Sequence, residues 1–565
     1  MTEISSIPSV RSVVQIALHK QITDIVLSPG SRNAPFILSF SAIEAFNCLS
    51  VLDERSAGFI ALGMAQQKRK PVMLSCTSGS AMINYAPAMV EAFYQNIPLI
   101  AITADRPTEW IDQGEGQSIR QTSLMDGVFI KNFNLVWAKD ADDTWYNERL
   151  INEAFETALV EQKPVQINVP LREPLYETSA LSENDKPHLF QRAKRLFHLE
   201  ANYLESLQEK WFNAPSILIL IGQIAHHPGL EDQLRFLMDD HRVAVVTEST
   251  ANLYQFGFVS CIDRTIDGFL GKENEVNFAP QLLITIGGNL ISKKLKSFLR
   301  KHKNKIQDHW HIGAEVMDTF QSLTQIIEVE PSELFRILRT DKPEGTFDFG
   351  TKWKQQFFKS EQVHLDFLAK TEYSDLKVFE LLMDYIPDDA QIQMGNSSVV
   401  RYIQLFNQIR SVKYFGNRGV SGIEGCVSTA VGAAIASQDL VIHISGDHAF
   451  RYDSNALGMN ALPSNLRVIV INNNGGNIFR IIEGPKKYET SETFIEKVDE
   501  RSIKKLVEYH EIQYLSAQSL DELEVAMQQL ISPDANAPMV LEVFTPRVSS
   551  PEILKAYFQE IRNKA

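Results

Sequence analysis

The chain is expected to be an α/β protein of three domains, each with a central parallel sheet flanked by helices. Three observations predict this. Near the N-terminus, "PVMLSCTSGSAMINYAPAMVEAFYQNIPLIAITADRP" (71–107) runs strand, glycine turn, small-residue helix, strand. Near the C-terminus, "DLVIHISGDHAFRYDSNALGMNALPSNLRVIVINNNGG" (439–476) repeats that order at almost the same length. Between them lie three more apolar strands, "SILILIG" (216–222), "RVAVVTEST" (242–250) and "QLLITIGG" (281–288). Continuous apolar strands joined through helices mark parallel sheets covered on both faces.

At 565 residues the chain exceeds what one core serves. The seams fall in polar stretches. "YETSALSENDKPHL" (176–189) follows the closing strand "PVQINVP", and "RTDKPEGTFDFGTKW" (339–353) leads into a connecting helix. The expected domains are therefore 1–182, 183–350 and 351–565, the first and third alike in plan.

Composition excludes several classes. No apolar stretch approaches the roughly 20 residues of a membrane span. The start, "MTEISSIPSVRSVVQIALHK", lacks a basic segment followed by an apolar run, so no signal peptide is expected. A net charge of −15 argues against nucleic acid as partner and requires local basic groups for any anionic ligand. Cys48, Cys76, Cys261 and Cys426 are scattered, which suits a reducing cytoplasm and forms no zinc motif.

In open parallel sheets ligands bind beyond the carboxyl ends of the strands. "LVIHISGD" ends there on Asp447, and "LRVIVINNNGG" ends on Asn472 to Asn474. Carboxylate and amide oxygens beside glycine carbonyls suit magnesium, which completes its octahedron with phosphate and water. The structural alternative makes Asp447 the N-cap of a helix beginning near Tyr452. The pairing G-D…N-N, 27 residues from Asp447 to Asn474, favours the metal reading.

That pairing resembles the motif of thiamine-diphosphate enzymes. The resemblance implies that Asp447, Asn474 and the Gly476 carbonyl hold Mg2+ (or Mn2+) on the diphosphate. His448 stands where the family has a small residue, but the ligand before it is retained. The family also needs a glutamate that shares a proton with the pyrimidine ring and so favours the cofactor's imino tautomer. "VLDERSAGFIALGMAQ" (51–66) supplies Glu54, with Asp53 its structural neighbour. An acid in a helix's first turn also complements the helix dipole, so the structural alternative stands beside it.

"SPGSRNAPF" (28–36), "GQSIRQ" (116–121), "NSSVVR" (396–401) and "GNRGVSGIEG" (416–425) narrow the likeness. They resemble the 2-succinyl-5-enolpyruvyl-6-hydroxy-3-cyclohexene-1-carboxylate (SEPHCHC) synthases of menaquinone biosynthesis. In that family 2-oxoglutarate is decarboxylated, and its four-carbon remainder adds in a 1,4 sense to isochorismate. Both substrates are dicarboxylates, and planar, permanently charged arginines suit them.

The resemblance implies substrate contacts from Ser31, Arg32, Arg106, Gln117, Ser397, Arg401 and Arg418. It adds Lys293 or Lys294 from "ISKKLK", although a Lys-Lys pair is also an ordinary solvated face. Arg106 reads alternatively as a strand-end turn residue. Gly116 stands where relatives often carry asparagine. Ile478, Phe479 and Ile482 are either an apolar wall beside the reacting carbons or plain core. Ile423 matches the bulky residue that bends the cofactor into a V, and His443 reads as a core histidine.

The family further implies a homodimer or homotetramer with active sites between subunits. The alternatives are another thiamine-diphosphate 2-oxoacid decarboxylase or acetolactate-type synthase, and a non-catalytic member of the fold. Pyruvate would leave several arginines without a partner, and a non-catalytic member would be expected to lack Glu54 or Asp447.

Overall fold

The computed structural model describes residues 2–181, 186–193, 198–225, 227–339, 345–482, 484 and 488–565. Its frame is three parallel sheets. The N-terminal sheet has six strands in the order Asn47–Ser50, Asp24–Leu27, Val72–Cys76, Leu99–Asp105, Val165–Pro170, Lys131–Asn134. The C-terminal sheet also has six, in the order Lys413–Gly416, Gln391–Met394, Val441–Gly446, Leu466–Asn472, Met539–Phe544, Gln513–Ala517. Numbered along the chain, both sheets read 2-1-3-4-6-5. The likeness of plan seen in two β-α-β stretches therefore extends to whole sheets.

The middle sheet has five strands, Val243–Thr247, Ile217–Ile221, Leu282–Ile286, Asp308–Ile312 and Gln325–Ile327, in the order 2-1-3-4-5. Central strands such as Val72–Cys76, Ile217–Ile221 and Leu466–Asn472 are buried along their whole length, as helices on both faces require. A short antiparallel pair, Glu3–Ser5 with Thr178–Ala180, ties the beginning of the chain to the segment after the N-terminal sheet. The boundary expected between 182 and 183 lies outside the described residues. The one expected between 350 and 351 falls inside the helix Phe349–Leu368, whose Trp353 is buried among Phe269, Phe278 and Phe298 of the middle region.

The outer sheets meet through two helices of small residues, Glu54–Lys68 and Cys426–Ala436. A Cβ built on Gly63 would overlap the Thr429 carbonyl oxygen, and one built on Gly432 would overlap that of Ile60. Each helix thus has a glycine where the other's backbone passes. His443 is fully buried in its strand; its Nδ1 lies 2.8 Å from the Gln393 carbonyl oxygen, while Nε2 has no partner. It is a core histidine with one nitrogen satisfied, and burial lowers its pKa to about 4.

Candidate active site

In a 2-1-3-4 sheet the strand order reverses between strands 1 and 3, and the crevice at their carboxyl ends is the natural ligand site. In the C-terminal sheet these are Gln391–Met394 and Val441–Gly446. The first runs into Gly395, Asn396 and Ser397; the second runs into Asp447. A Cβ on Gly395 would lie 2.7 Å from the Ile444 carbonyl oxygen, so only glycine lets the two strand ends close up. A cavity of about 150 Å3 opens there, lined among others by Ser397, Ile423, Asp447, Gly476, Ile478 and Phe479.

Asp447 opens the helix Asp447–Tyr452; the helix ends at Tyr452 rather than beginning there, and Gly446 is the N-cap. Its side chain is 2% exposed, and Oδ2 has no hydrogen-bond partner. Burial pushes the carboxyl up to about 7, opposed by Arg451 and by the backbone N–H groups of His448 and Asp447. Arg451 Nη1 stands 3.7 Å from Oδ2, beyond hydrogen-bond reach, and pairs with Asp499 at 3.0 Å.

Opposite, Asn474 (φ 61°) and Gly475 (φ 137°) turn the chain with left-handed backbone. The turn is held by Asn474 N–H on Asn472 Oδ1 (3.1 Å), Asp499 N–H on the Asn474 carbonyl (3.3 Å) and Gly476 N–H on the Glu496 carbonyl (2.7 Å). Asn477 is buried with both amide atoms unpartnered. An unsatisfied buried carboxylate oxygen facing a turn of amide and backbone oxygens fits a hard divalent cation. Among the described residues no cluster of three or more His, Cys, Asp or Glu forms a closed metal cage.

Arg401 lies on the helix Ser398–Ile403 and donates through Nη1 to the Ser397 carbonyl. Arg418 is buried; its Nη1 donates to Asn396 Oδ1 (2.7 Å), and its Nε has no partner. Burial lowers the pKa of both, and Arg401 contributes to lowering that of Arg418. Ile482 follows the short helix Ile478–Ile481 and is partly exposed.

The N-terminal sheet ends in a second group at its own reversal point. Asp53 caps the helix Glu54–Lys68, accepting from Arg55 N–H (2.9 Å) and Ser56 N–H (3.4 Å). The capping role thus belongs to Asp53 and leaves Glu54 available. Glu54 is partly buried, and desolvation raises its pKa, helped by Asp53. Arg32 is buried, with Nη1 on the Leu171 carbonyl (2.9 Å), Nη2 at 3.1 Å from Glu173 and Nε unpartnered. Arg106 donates to the Gly116 carbonyl (2.8 Å), stands 3.5 Å from Glu115, and also has an unpartnered Nε. Gln117, next along, has φ 52°, and Ser31 is exposed.

The structure gathers Ser397, Ile423, Asp447, Gly476, Ile478 and Phe479 around one cavity, which Asn474, Arg401, Arg418 and Ile482 do not line, and it couples Arg32 to Arg106. Lys293 and Lys294 join neither. Lys294 pairs with Asp267 (2.8 Å) beneath the Phe558 ring, and Lys293 is exposed on the same helix, Lys293–Lys301. The lysine that acts electrostatically on the Arg418 group is Lys296, whose pKa is lowered by burial, raised by Glu248 and lowered again by Arg418. Lys293 and Lys296 are three residues apart and share a face of this helix, whereas Lys294 is turned to Asp267. Sequence reading also passed over Asn396 and Asn477. Asn396 stands first in "NSSVVR", and a polar residue at a strand end was its available signal.

Comparison with known proteins decides the family. Residues 10–124 match "Thiamine pyrophosphate enzyme, N-terminal TPP binding domain", and residues 393–543 match "Thiamine pyrophosphate enzyme, C-terminal TPP binding domain". The chain is 41% identical over 560 residues (98% of this chain, 99% of the relative) to the SEPHCHC synthase of Flavobacterium psychrophilum. It is 39% identical over 579 residues to that of Christiangramia forsetii (99% and 100%). It is 39% identical over 566 residues to that of Porphyromonas gingivalis (97% and 96%). The chain belongs to the SEPHCHC synthase family. Both groups of residues fall within the matched thiamine pyrophosphate regions, so the cofactor class follows. The family likeness also runs through the middle region, which neither domain description covers. Among the described residues no helix is long and apolar enough to cross a membrane.

Proposed function

We propose that this chain is a transferase of menaquinone biosynthesis that decarboxylates 2-oxoglutarate and adds the remaining four-carbon unit to isochorismate, giving the SEPHCHC product. The observation that carries this beyond the family name is local. Arg401, half-buried, and Arg418, buried, each hydrogen-bond a residue that lines the cavity of Asp447, Ser397 and Asn396 respectively, and Arg418 keeps an unpartnered N–H. A site for pyruvate would need no such pair.

Thiamine diphosphate, when bound, supplies the electron sink for decarboxylation and carbon–carbon bond formation. Asp447, Asn474 and the Gly476 carbonyl would hold its Mg2+ (or Mn2+), and Ile423 would brace its bend. Glu54, whose pKa desolvation raises, would hold a proton at its carboxyl for the pyrimidine ring. Arg32, Arg106, Gln117 and Ser31 on one side, and Ser397, Arg401 and Arg418 on the other, orient substrate carboxylates. Ile478, Phe479 and Ile482 keep water from the reacting carbons. Lys293 and Lys294 are left without a substrate role.

The proposed domains are 1–182, 183–350 and 351–565, with the helix Phe349–Leu368 carrying the chain across the last boundary. Among the described residues the cavity at Asp447 is lined from positions 375 to 479, and Glu54 would reach it from a second copy, in a homodimer or homotetramer. All four cysteines are free, in keeping with a cytoplasmic enzyme. The test is product mass after mixing the protein with thiamine diphosphate, Mg2+, 2-oxoglutarate and isochorismate. A product of the summed mass less CO2, formed only with both substrates, is expected. Release of CO2 at the same rate without isochorismate, and no adduct, would make the protein a plain decarboxylase.

A further inference from the structure

Arg418 and Ile423 sit on a loop, residues 416–425, whose backbone is held by side chains from all three regions of the chain. From the N-terminal region, Glu91 accepts Gly419 N–H on Oε1 (2.5 Å) and Val420 N–H on Oε2 (2.8 Å). From the middle region, Asn289 Nδ2 donates to the carbonyls of Arg418 (2.9 Å) and Gly419 (2.7 Å). From the C-terminal region, Asn396 Nδ2 donates to the carbonyls of Asn417 (2.8 Å) and Gly422 (2.5 Å), while its Oδ1 takes the Arg418 guanidinium. Gln95 Nε2 steadies Glu91 Oε1 (2.5 Å).

The approach leaves no slack. A Cβ on Gly419 would lie 2.6 Å from the Glu91 carbonyl oxygen and 3.0 Å from Oε1. Glu91 is 1% exposed, on the helix Ala86–Gln95, whose other buried residues are Ala88, Met89 and Ala92. A carboxylate buried there is costly unless its hydrogen bonds are worth more than an apolar side chain would be. Its bonds go to the two residues that follow Arg418, rather than to the bulk of the domain interface.

We propose that Glu91, assisted by Asn289, is a positioning residue that sets the Arg418 guanidinium in place for a substrate carboxylate. This rests on the substrate role proposed above for Arg418. Neither residue touches substrate; each acts through the loop backbone. Glu91→Gln keeps the size but offers one acceptor oxygen, so one of the two loop N–H groups faces an amide NH2.

The experiment is a double-mutant cycle in the full chain at saturating thiamine diphosphate and Mg2+. It compares Glu91→Gln, Arg418→Lys and the double variant, with each substrate varied in turn. Glu91→Gln is expected to lower kcat/KM about five- to a hundred-fold, for the same substrate that Arg418→Lys impairs. The double variant should be no worse than Arg418→Lys alone, because positioning a group already lost costs nothing further. Amide hydrogen exchange at Gly419 and Val420 should quicken in Glu91→Gln.

Should Glu91→Gln fold poorly, Asn289→Ala alters an exposed side chain and is expected to act in the same direction more weakly. Penalties that multiply in the double variant, or a Glu91→Gln enzyme with wild-type constants beside an impaired Arg418→Lys, would overturn the positioning role. Wild-type constants for Arg418→Lys itself would overturn it differently, by removing the substrate role on which it rests.

Discussion

Burying a carboxylate oxygen without a hydrogen-bond partner costs roughly 1–3 kcal/mol or more, and Asp447 does this at a strand end where a short turn could have kept it in water. The neighbouring cation, Arg451, stops 3.7 Å short and spends its closer contact on Asp499. Asp499 in turn holds the Asn474 carbonyl, so both halves of the proposed metal site are braced from behind. Asp447→Asn keeps the shape and removes the charge. The metal-free variant should be at least as stable as wild type, while Mg2+-dependent binding of thiamine diphosphate weakens by about a hundred-fold or more. Calorimetric titration with cofactor and Mg2+, beside a melting curve of the metal-free protein, reads both. Unchanged cofactor affinity would remove Asp447 from the metal. The ligand was legible because strand, glycine and acid are adjacent in sequence. Its bracing was not, since Arg451 and Asp499 meet across 48 residues and nothing local marks the pair.

Among the elements, the interior strands were legible and the edge strands were not. "LRVIVIN" and "LIAITAD" are apolar throughout because helices cover both faces. Lys131–Asn134 and Gln513–Ala517 are edge strands with polar residues in every second or third place, and no continuous apolar run marks them. The helices Glu54–Lys68 and Cys426–Ala436 are both rich in small residues, but nothing in either sequence says that they meet. They meet at glycine. In a free helix, glycine to alanine gains close to 1 kcal/mol. Here the new methyl would strike the backbone carbonyl of Thr429 or Ile60, which no side-chain rotation relieves. Gly63→Ala and Gly432→Ala are therefore each expected to destabilise by about 1–3 kcal/mol. Gly116→Ala, with no atom within 4 Å of the added carbon, should leave the melting temperature alone. Equal melting temperatures for all three would mean that the helices do not touch at these glycines.

At the scale of the molecule, two sheets of identical strand order each present one group of predicted residues, and within one chain the groups do not share a cavity. The C-terminal group surrounds Asp447, and the N-terminal group surrounds Glu54 and Arg32. A protein with net charge −15 that takes two dicarboxylates needs its cations gathered at one place, which argues for joining the groups across a subunit contact. Exposed apolar residues near both groups in sequence, Leu52 before Glu54 and Val420 and Ile423 after Arg418, are what such a contact would cover. In a two-fold dimer every site then takes Glu54 from one chain and Asp447 from the other. The consequence is countable. Glu54→Gln and Asp447→Ala homodimers should each be inactive, because every site carries one defect. Mixed dimers carry both defects in one site and none in the other. Equal mixing with free exchange makes about half of the dimers mixed, so about one quarter of all sites are intact. Activity should rise from near zero towards a quarter of wild type as the subunits exchange, with KM values unchanged. If each chain built its own site, mixing would restore nothing, and the steady-state rate of the mixture separates the two cases.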